Sequence, residues 1–302
     1  MEKEHDFVET EFGSFHAIKD DLATRQLKQY SAHTRNEIAM LASMIREGDT
    51  VLDIGAHIGS FAIPIAKRFP DRVNIFSFEP QNDIFPLLEK NVEINKLGNQ
   101  ITRFNGLVSD EVKSFSAPVV VDGNSMDAVF LPSKKTKVSE EEQSDISVFV
   151  IDQMINQGDI PENVNVIKID TEGAERSVLN SCQNLIRKKL PVIYGEINVP
   201  ALARFKTSPK DIEKYLSSFG YHFFRNIGYR NSDNDDFVIA KLNSLRDGGR
   251  FYDFLAVHPD SDRYPSTQET FKRPNLKPEF VIQLQKQFKR VVKGIAVRLK
   301  RE

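Results

Sequence analysis

Cysteine is nearly absent from this sequence, since Cys182 is the only one among 302 residues. A single cysteine excludes an internal disulfide, and its scarcity is typical of proteins kept in a reducing compartment. The first residues are charged and lack the apolar run of a signal peptide, and no later stretch approaches the roughly 20 apolar residues of a membrane span. We therefore expect a cytoplasmic protein that touches a membrane peripherally at most.

An excess of charge of either sign is also missing. The chain has 41 basic and 43 acidic residues, and its formal net charge is −2. Such a balance gives no overall field to attract a polyanion, so we do not expect nucleic acid as a partner.

The last stretch is the exception to this balance. Between residues 280 and 302, basic residues lie opposite an apolar stripe at helical spacing: Phe280, Leu284, Phe288, Val291, Ile295 and Leu299. We predict a basic amphipathic helix here, whose stripe packs on its own domain or on the partner subunit of a homodimer. The alternative is reversible attachment to an anionic membrane, which would suit a lipid-linked glycan as substrate.

Internal repeats and low-complexity tracts are absent, and the middle of the chain alternates strand-like with helix-like runs. This alternation predicts an α/β fold with a parallel sheet and crossover helices. The predicted strands are 50–54, 73–78, 101–107, 165–170, 190–196 and 221–225. For the final strand there are two candidates, 237–242 and 251–257, and we favour the second.

Three segments follow from this pattern. Residues 1–48 are predicted to be a helical extension or cap, with a helix around 36–46, and residues 49–258 the core. Residues 259–302 are a C-terminal extension. Within the core, the alternation of strands and helices becomes irregular at about residues 111–150. Short apolar runs are separated there by a glycine-containing turn and by the charge run 134–142. This pattern favours an inserted β-hairpin with a solvated tip, and a disordered loop is the alternative.

The glycine fingerprint of dinucleotide-binding proteins is missing too. The first strand ends in Asp53, and Gly55, His57 and Gly59 follow in the turn to a helix. Glycines at a strand end allow a ligand to approach the backbone closely. The carboxylate of Asp53 would repel a phosphate but attract the ammonium group of a methionine-type ligand. The loop therefore predicts a nucleoside ligand without a pyrophosphate.

Two further strand ends carry polar residues that fit a nucleoside. Glu79 ends the second strand one βα unit after the glycine loop, where a carboxylate can accept both ribose hydroxyls. Each acid alone is ordinary at a strand end, but their order and spacing favour adenosine. At the third strand, Asn105 and Asp110 are candidates for reading the adenine edge. Asp110 fits equally well as a turn residue that opens the insertion.

The fourth strand has the most unusual segment, residues 168–175. Lys168 and Asp170 alternate onto the same side, and Glu172 follows at the junction with the next helix. Acids in a first turn complement a helix dipole, but this does not explain a lysine in an apolar strand, which is costly to bury unpaired. Glu196 and Asn198 add a second polar pair at the end of the fifth strand.

Together these segments resemble the FkbM-type methyltransferases, a branch of the class I S-adenosylmethionine-dependent enzymes. The resemblance rests on 53–59, on 78–80, on 105–110 and above all on 168–175, and it spans roughly residues 35–260. It implies a doubly wound, mostly parallel, Rossmann-like sheet of seven strands, one of them antiparallel. It also implies methyl transfer to a hydroxyl oxygen of a sugar or another secondary metabolite.

Site residues follow from the same resemblance. Asp53, Gly55 and Gly59 would hold the methionine part of S-adenosylmethionine and Glu79 its ribose, while Asp170 would lie next to the sulfonium. His57, which we include among the cofactor-binding residues, stands where the family usually has a small polar residue such as Asn.

A sugar hydroxyl is a very weak acid, so a positioned base is useful in its methylation. Asp170 is the first candidate, Glu172 and Glu196 are the next, and Lys168 would tune these acids as an ion-pair partner. Alternatively, Asp170, Glu196 and Asn198 would bind a divalent cation such as Mg²⁺.

Two functions of other classes remain open at this point. A non-catalytic adenosine-binding module would keep the acids at 53 and 79 but has no use for the cluster at 168–175. A nicotinamide-dependent oxidoreductase would need the glycine fingerprint that is missing.

Overall fold

The computed structural model describes residues 4–111, 119–120, 128–130 and 146–265. Its strands are β1 (His5–Thr10), β2 (Gly13–Ile18), β3 (Thr50–Ile54), β4 (Asn74–Glu79), β5 (Ile101–Val108), β6 (Val119–Val120), β7 (Ala128–Val129), β8 (Ser147–Phe149), β9 (Val164–Ile169), β10 (Val192–Asn198), β11 (His222–Asn226), β12 (Ile239–Leu242) and β13 (Phe251–Val257). Its helices are α1 (Leu22–Tyr30), α2 (Arg35–Ala42), α3 (Ala62–Arg68), α4 (Phe85–Ile94), α5 (Ile151–Gln157), α6 (Glu175–Ser181), α7 (Gln183–Lys189), α8 (Val199–Arg204) and α9 (Pro209–Ser217).

The main sheet has the strand order β12-β11-β13-β10-β9-β3-β4-β5-β8. The pairs from β10 through β9, β3, β4 and β5 to β8 are all parallel, whereas β13 runs antiparallel to both of its neighbours. The predicted doubly wound, mostly parallel α/β fold is thus confirmed. The sheet is wider than the seven strands expected, because β8 and β12 extend its two edges.

Helices cover both faces of this sheet, and each face has its own apolar core. One core joins α2, α3 and α4 to the sheet, and the other joins α5 to α9 to its opposite side. The central strands β3 and β9 are buried along nearly their whole length. Strands buried on both faces place their polar groups at their ends, so the carboxyl edge of the sheet is where ligands bind in such folds.

Both candidates for the final strand form strands. β13, the favoured one, lies inside the sheet between β10 and β11, while β12 pairs with β11 at the edge. The order of β12 and β13 along the chain does not predict which of them enters the sheet. The inner position goes to the apolar strand that can be buried on both faces.

The N-terminal segment differs from the prediction of a purely helical extension. α2 forms where a helix was expected, but β1 and β2 precede it as an antiparallel hairpin. β2 is fastened to α4 by two asparagines: Asn95 accepts from the backbone N of Ser14 at 3.0 Å, and Asn91 accepts from that of His16 at 2.6 Å. The hairpin therefore packs on the core of the molecule.

In the predicted insertion, β6 and β7 pair antiparallel over two residues each, and β8 joins the edge of the main sheet. Residues 112–118, 121–127 and 131–145, including the charged tip, lie outside the described part of the chain, as does everything after 265 with the predicted amphipathic helix. Among the described helices, none has the length and apolar character needed to cross a membrane.

Candidate active site

A pocket opens at the carboxyl edge of the sheet, above β3, β4, β5, β9 and β10. Its wall includes Leu22, Gln26, His33, Thr34, Ile54, Gly55, His57, Phe78, Glu79, Pro80, Gln81, Gly106, Leu107, Val108, Phe130, Asp170, Thr171, Glu172, Ala174, Glu196, Arg230 and Asn231. The ends of distant strands predicted from the sequence to carry polar residues therefore meet in one cavity.

The glycine loop and the acidic junction are in direct contact. Gly55 has a φ of 84°, and a Cβ added to it would lie 1.9 Å from the carbonyl oxygen of Asp170. The backbone N of Asp170 in turn donates to the carbonyl of Ile54 at 3.0 Å. Only glycine at position 55 permits this close approach. It allows Asp170, the first residue after β9, to lie against the glycine loop that follows β3.

Glu79 is held in the pocket by the backbone of two loops. Its carboxylate accepts a hydrogen bond from the backbone N of His57 at 2.8 Å and another from that of Gln81 at 2.9 Å. Burial raises the pKa of Glu79 to about 7, even though these two donors oppose the rise. His57 has a φ of 51°, a conformation that Asn and His adopt more readily than most residues, so the backbone geometry suits the histidine at this position.

Asp53 lies behind this loop and does not line the pocket. It is fully buried, and one of its oxygens is 3.1 Å from the Nζ of Lys168, which also donates to the carbonyl of Gly55 at 2.7 Å. Burial opposes the charge on Lys168, but the Asp53 and Asp170 carboxylates outweigh burial and raise its pKa. The sequence suggested that Asp53 contacts a ligand directly, but the structure places Asp53 behind the pocket wall. Asp53 acts on the pocket through Lys168 and Gly55.

Asp170, Glu172 and Glu196 form an acidic cluster on the pocket wall. One carboxylate oxygen of each lies within 4.8 Å of the others. The side chain of Asp170 is 33% exposed, and its nearest cation is Lys168 at 3.8 Å. Burial, together with the charge of Asp170, raises the pKa of Glu196 well above its ordinary value. The neighbouring carboxylates and burial therefore both favour the protonated form of Glu196.

Asn198 is engaged elsewhere and does not complete a metal-ligand set with these acids. Its Nδ2 donates to Glu172 at 3.0 Å, and its Oδ1 accepts from the backbone N of Ala201 at 3.1 Å, where it caps α8. Both ends of the amide are therefore used. The carboxylate oxygens that converge are those of Asp170, Glu172 and Glu196.

Arg230 belongs to the pocket wall although nothing in the sequence singled it out. Its Nη2 lies 2.7 Å from Asp253 and 3.9 Å from Glu196, and it sits in the loop between β11 and β12. His33 faces the pocket from the N-terminal segment. Burial lowers its pKa to about 3, and its Nδ1 has no hydrogen-bond partner among the described residues. An arginine in a polar loop has no spacing signature, so only the folded chain reveals it.

Asn105 and Asp110 do not line this pocket. Asn105 is exposed and donates to Asn82 at 3.1 Å, while Asp110 accepts from Asn180 at 2.8 Å and also binds Ser177. Between them, Gly106, Leu107 and Val108 contribute the wall instead. The role of the two polar residues in reading adenine stays a prediction.

No curated protein is matched by this sequence. The solved precorrin-6y C5,15-methyltransferase of Geobacter metallireducens GS-15 aligns over 74% of this chain and 87% of its own, with 12% identity and a TM-score of 0.42. The magnesium protoporphyrin IX methyltransferase of Synechocystis PCC 6803 aligns over 80% of this chain and 85% of its own, with 12% identity and a TM-score of 0.41.

The FkbM methyltransferase of Methylobacillus flagellatus KT aligns over 78% of this chain, with 15% identity and a TM-score of 0.45; this chain covers 51% of that protein, or about half of its length. The sequence model of the FkbM methyltransferase domain matches residues 53–223, which is more than half of the chain and contains the glycine loop, Glu79 and the acidic cluster. The chain therefore belongs to the FkbM methyltransferase domain family.

Proposed function

We propose that this protein transfers a methyl group from S-adenosylmethionine to a hydroxyl oxygen of a sugar or another secondary metabolite. The observation that carries this proposal is the position of the acidic cluster, which shares one pocket with the glycine loop and Glu79. A module that only bound adenosine would not need three converging carboxylates beside its ligand.

The residues of the pocket fit S-adenosylmethionine. Gly55, whose missing Cβ leaves room for the Asp170 carbonyl, presents bare backbone to the pocket, and Glu79 offers carboxylate oxygens to two ribose hydroxyls. The apolar wall at Leu107, Val108 and Phe130 suits the faces of an adenine ring. When bound, the cofactor supplies an electrophilic methyl group on a positively charged sulfur, a charge that the acidic cluster would complement.

The chain's own residues then act on the acceptor. The pocket aligns the hydroxyl oxygen for an in-line displacement and excludes water around it. As the oxygen–carbon bond forms and the carbon–sulfur bond breaks, Asp170 takes the hydroxyl proton. Lys168, whose Nζ lies 3.8 Å from Asp170, stabilises the Asp170 carboxylate before this step.

The first test is the Asp170→Asn variant, assayed by methyl transfer from labelled S-adenosylmethionine to a panel of hydroxylated acceptors. Loss of a general base costs on the order of 100-fold or more in rate, so we expect kcat to fall by that amount. Affinity for S-adenosylhomocysteine, measured by calorimetry, should stay close to that of the unchanged protein. Asp159→Asn is the matched control, because this acid is exposed and lies outside the pocket wall.

Full activity of Asp170→Asn would overturn the assignment of the base. The same assay also tests the alternative hypothesis, in which the acidic cluster binds Mg²⁺. Activity that is lost with EDTA and restored by Mg²⁺ would favour the metal route, in which the cation acidifies the hydroxyl. Because Lys168 and Arg230 already place positive charge beside the acids, we expect activity to persist with EDTA.

A further inference from the structure

A few large apolar side chains remain exposed on the described part of the protein. Among the described residues, the large apolar side chains that stay exposed are Phe7, Leu22, Ile94, Tyr229 and Phe251. Leu22 lines the pocket itself, and Tyr229 directly precedes the lining residue Arg230. Clustered apolar surface on a folded protein commonly marks a binding site. Phe251 is the most exposed of the five.

Phe251 begins β13 at the same edge of the sheet as the acidic cluster. Its backbone pairs with Asn198, two residues along from the pair formed by Glu196 and Asp253. Cross-strand partners lie on the same face, and so does every second residue of a strand. Phe251 therefore lies on the same face of the sheet as Glu196 and Asp253. The rest of β13 is buried, but Phe251 is 57% exposed, so an apolar ring stands in solvent beside the cluster.

The groups next to this ring are hydrogen-bonding groups. Asn198, the cross-strand partner of Phe251, donates to Glu172, and Glu196 lies on the same strand as Asn198. Asp253, which lies on the same face of β13 as Phe251, forms an ion pair with Arg230 at 2.7 Å. An apolar platform beside a row of carboxylates and amides matches one kind of small molecule: a pyranose ring has a face of C–H bonds and an edge of hydroxyl groups.

Resting on the function proposed above, we infer that Phe251 is an acceptor-binding residue on which one face of a pyranose ring lies. Glu172 and Glu196 hold hydroxyl groups on the edge of that ring, which directs the edge toward Asp170. The electron-rich face of the phenyl ring attracts the slightly positive C–H face of the sugar, and burying both removes apolar surface from water. The acceptor class is thus a hexopyranoside and not an open-chain polyol.

The absence of tryptophan from the sequence allows a direct test. Phe251→Trp introduces a single indole whose fluorescence reports on that position alone. Titration with methyl α-D-glucopyranoside, its galacto and manno epimers, and sorbitol is carried out with S-adenosylhomocysteine present. We expect a saturable change in emission with at least one pyranoside and none with sorbitol. Phe7→Trp is the matched control, because Phe7 is 55% exposed but lies on the hairpin away from the pocket wall.

A second pair of variants guards against an artefact of the indole itself. Phe251→Ala should bind the same pyranoside about tenfold more weakly by saturation-transfer NMR, while Phe251→Tyr retains binding, because only the tyrosine keeps the ring. Affinity for S-adenosylhomocysteine should be the same in all variants.

Emission of Phe251→Trp that does not respond to any of the pyranosides, or equal pyranoside binding by Phe251→Ala and the unchanged protein, would overturn the inference. Failure of S-adenosylhomocysteine to bind in calorimetry would count against the proposed function instead. The pyranoside titrations, repeated without the nucleoside, would then still decide the role of Phe251.

Discussion

Buried charge on single residues defines the chemistry of this pocket. Lys168 was expected from the sequence to need partners, because an ammonium group in an apolar strand is costly to bury alone. The structure supplies them in Asp53, Asp170 and the carbonyl of Gly55. The need for a partner could be read from the sequence. Its identity could not, because Asp53 lies on another strand and meets Lys168 only through the parallel register of β3 and β9.

The raised pKa of Glu79 gives a prediction for the pH dependence of cofactor binding. Burial raises this pKa to about 7, so the carboxyl is mostly protonated below that pH and ionised above it. Only the ionised form can accept hydrogen bonds from both ribose hydroxyls with both oxygens. We therefore expect calorimetry to show tighter binding of S-adenosylhomocysteine at about pH 8 than at about pH 6.

The Glu79→Gln variant isolates this effect. It should bind S-adenosylhomocysteine about tenfold more weakly at the higher pH, because the amide offers one acceptor in place of two, and should lose the difference between the two pH values. Glu93→Gln, an exposed change on α4, is the control and should behave as the unchanged protein does. A Glu79→Gln variant that keeps the full pH dependence would show that another group causes it.

At the level of elements, the start of α2 fastens the loop that carries Arg230. The backbone N of Asn36 donates to the carbonyl of Arg230 at 3.1 Å, and its Nδ2 donates to Ser232 at 2.8 Å and to the carbonyls of Asn234 and Asp236. The N-terminal segment therefore does more than cap the molecule, since it sets where one wall of the pocket stands.

Asn36→Ala should loosen that loop. Removing a fully buried amide that makes several hydrogen bonds leaves carbonyl groups unsatisfied, so we expect the free energy of unfolding in urea to fall by about 2 kcal/mol. Backbone amides of residues 227–238 should also exchange hydrogen faster. Asn184→Ala, at an exposed position of α7, should change neither quantity. Unaltered exchange in the loop of Asn36→Ala would show that other contacts hold it.

Elements whose own residues show a strong apolar pattern could be predicted from the sequence. Elements that form by contact with a distant segment could not. β3 and β9 are short apolar runs that end in polar residues, and α2 has apolar residues at helical spacing. By contrast, β1 and β2 have few buried side chains, and their pairing depends on Asn91 and Asn95 of a distant helix. After β9 the chain forms two short helices, α6 and α7, which meet at Cys182, and the apolar spacing of the sequence does not predict this break.

On the scale of the whole molecule, the described wall of the pocket is drawn from residues between Leu22 and Asn231. The N-terminal segment and the core therefore build the site together, although the sequence separates them at residue 48. The predicted C-terminal extension, residues 259–302, is described only up to residue 265. Its role stays a prediction, in which the apolar stripe packs on this chain or on a second copy.

Deletion of residues 280–302 tests that prediction. Because loss of a packed apolar stripe exposes the surface it covers, we expect the thermal midpoint to fall by several degrees, which corresponds to about 1–2 kcal/mol for a protein of this size. Affinity for S-adenosylhomocysteine should remain the same. An unchanged midpoint, combined with loss of co-sedimentation with anionic vesicles, would favour membrane attachment instead.

The central claim is that the glycine loop, Glu79 and the acidic cluster are parts of one methyl-transfer site. A crystal structure with S-adenosylhomocysteine tests it most directly. We expect the ribose hydroxyls to lie on Glu79, the amino-acid portion to lie over Gly55, and the sulfur to face the side chain of Asp170. A nucleoside bound elsewhere, or one whose sulfur points away from Asp170, would contradict it.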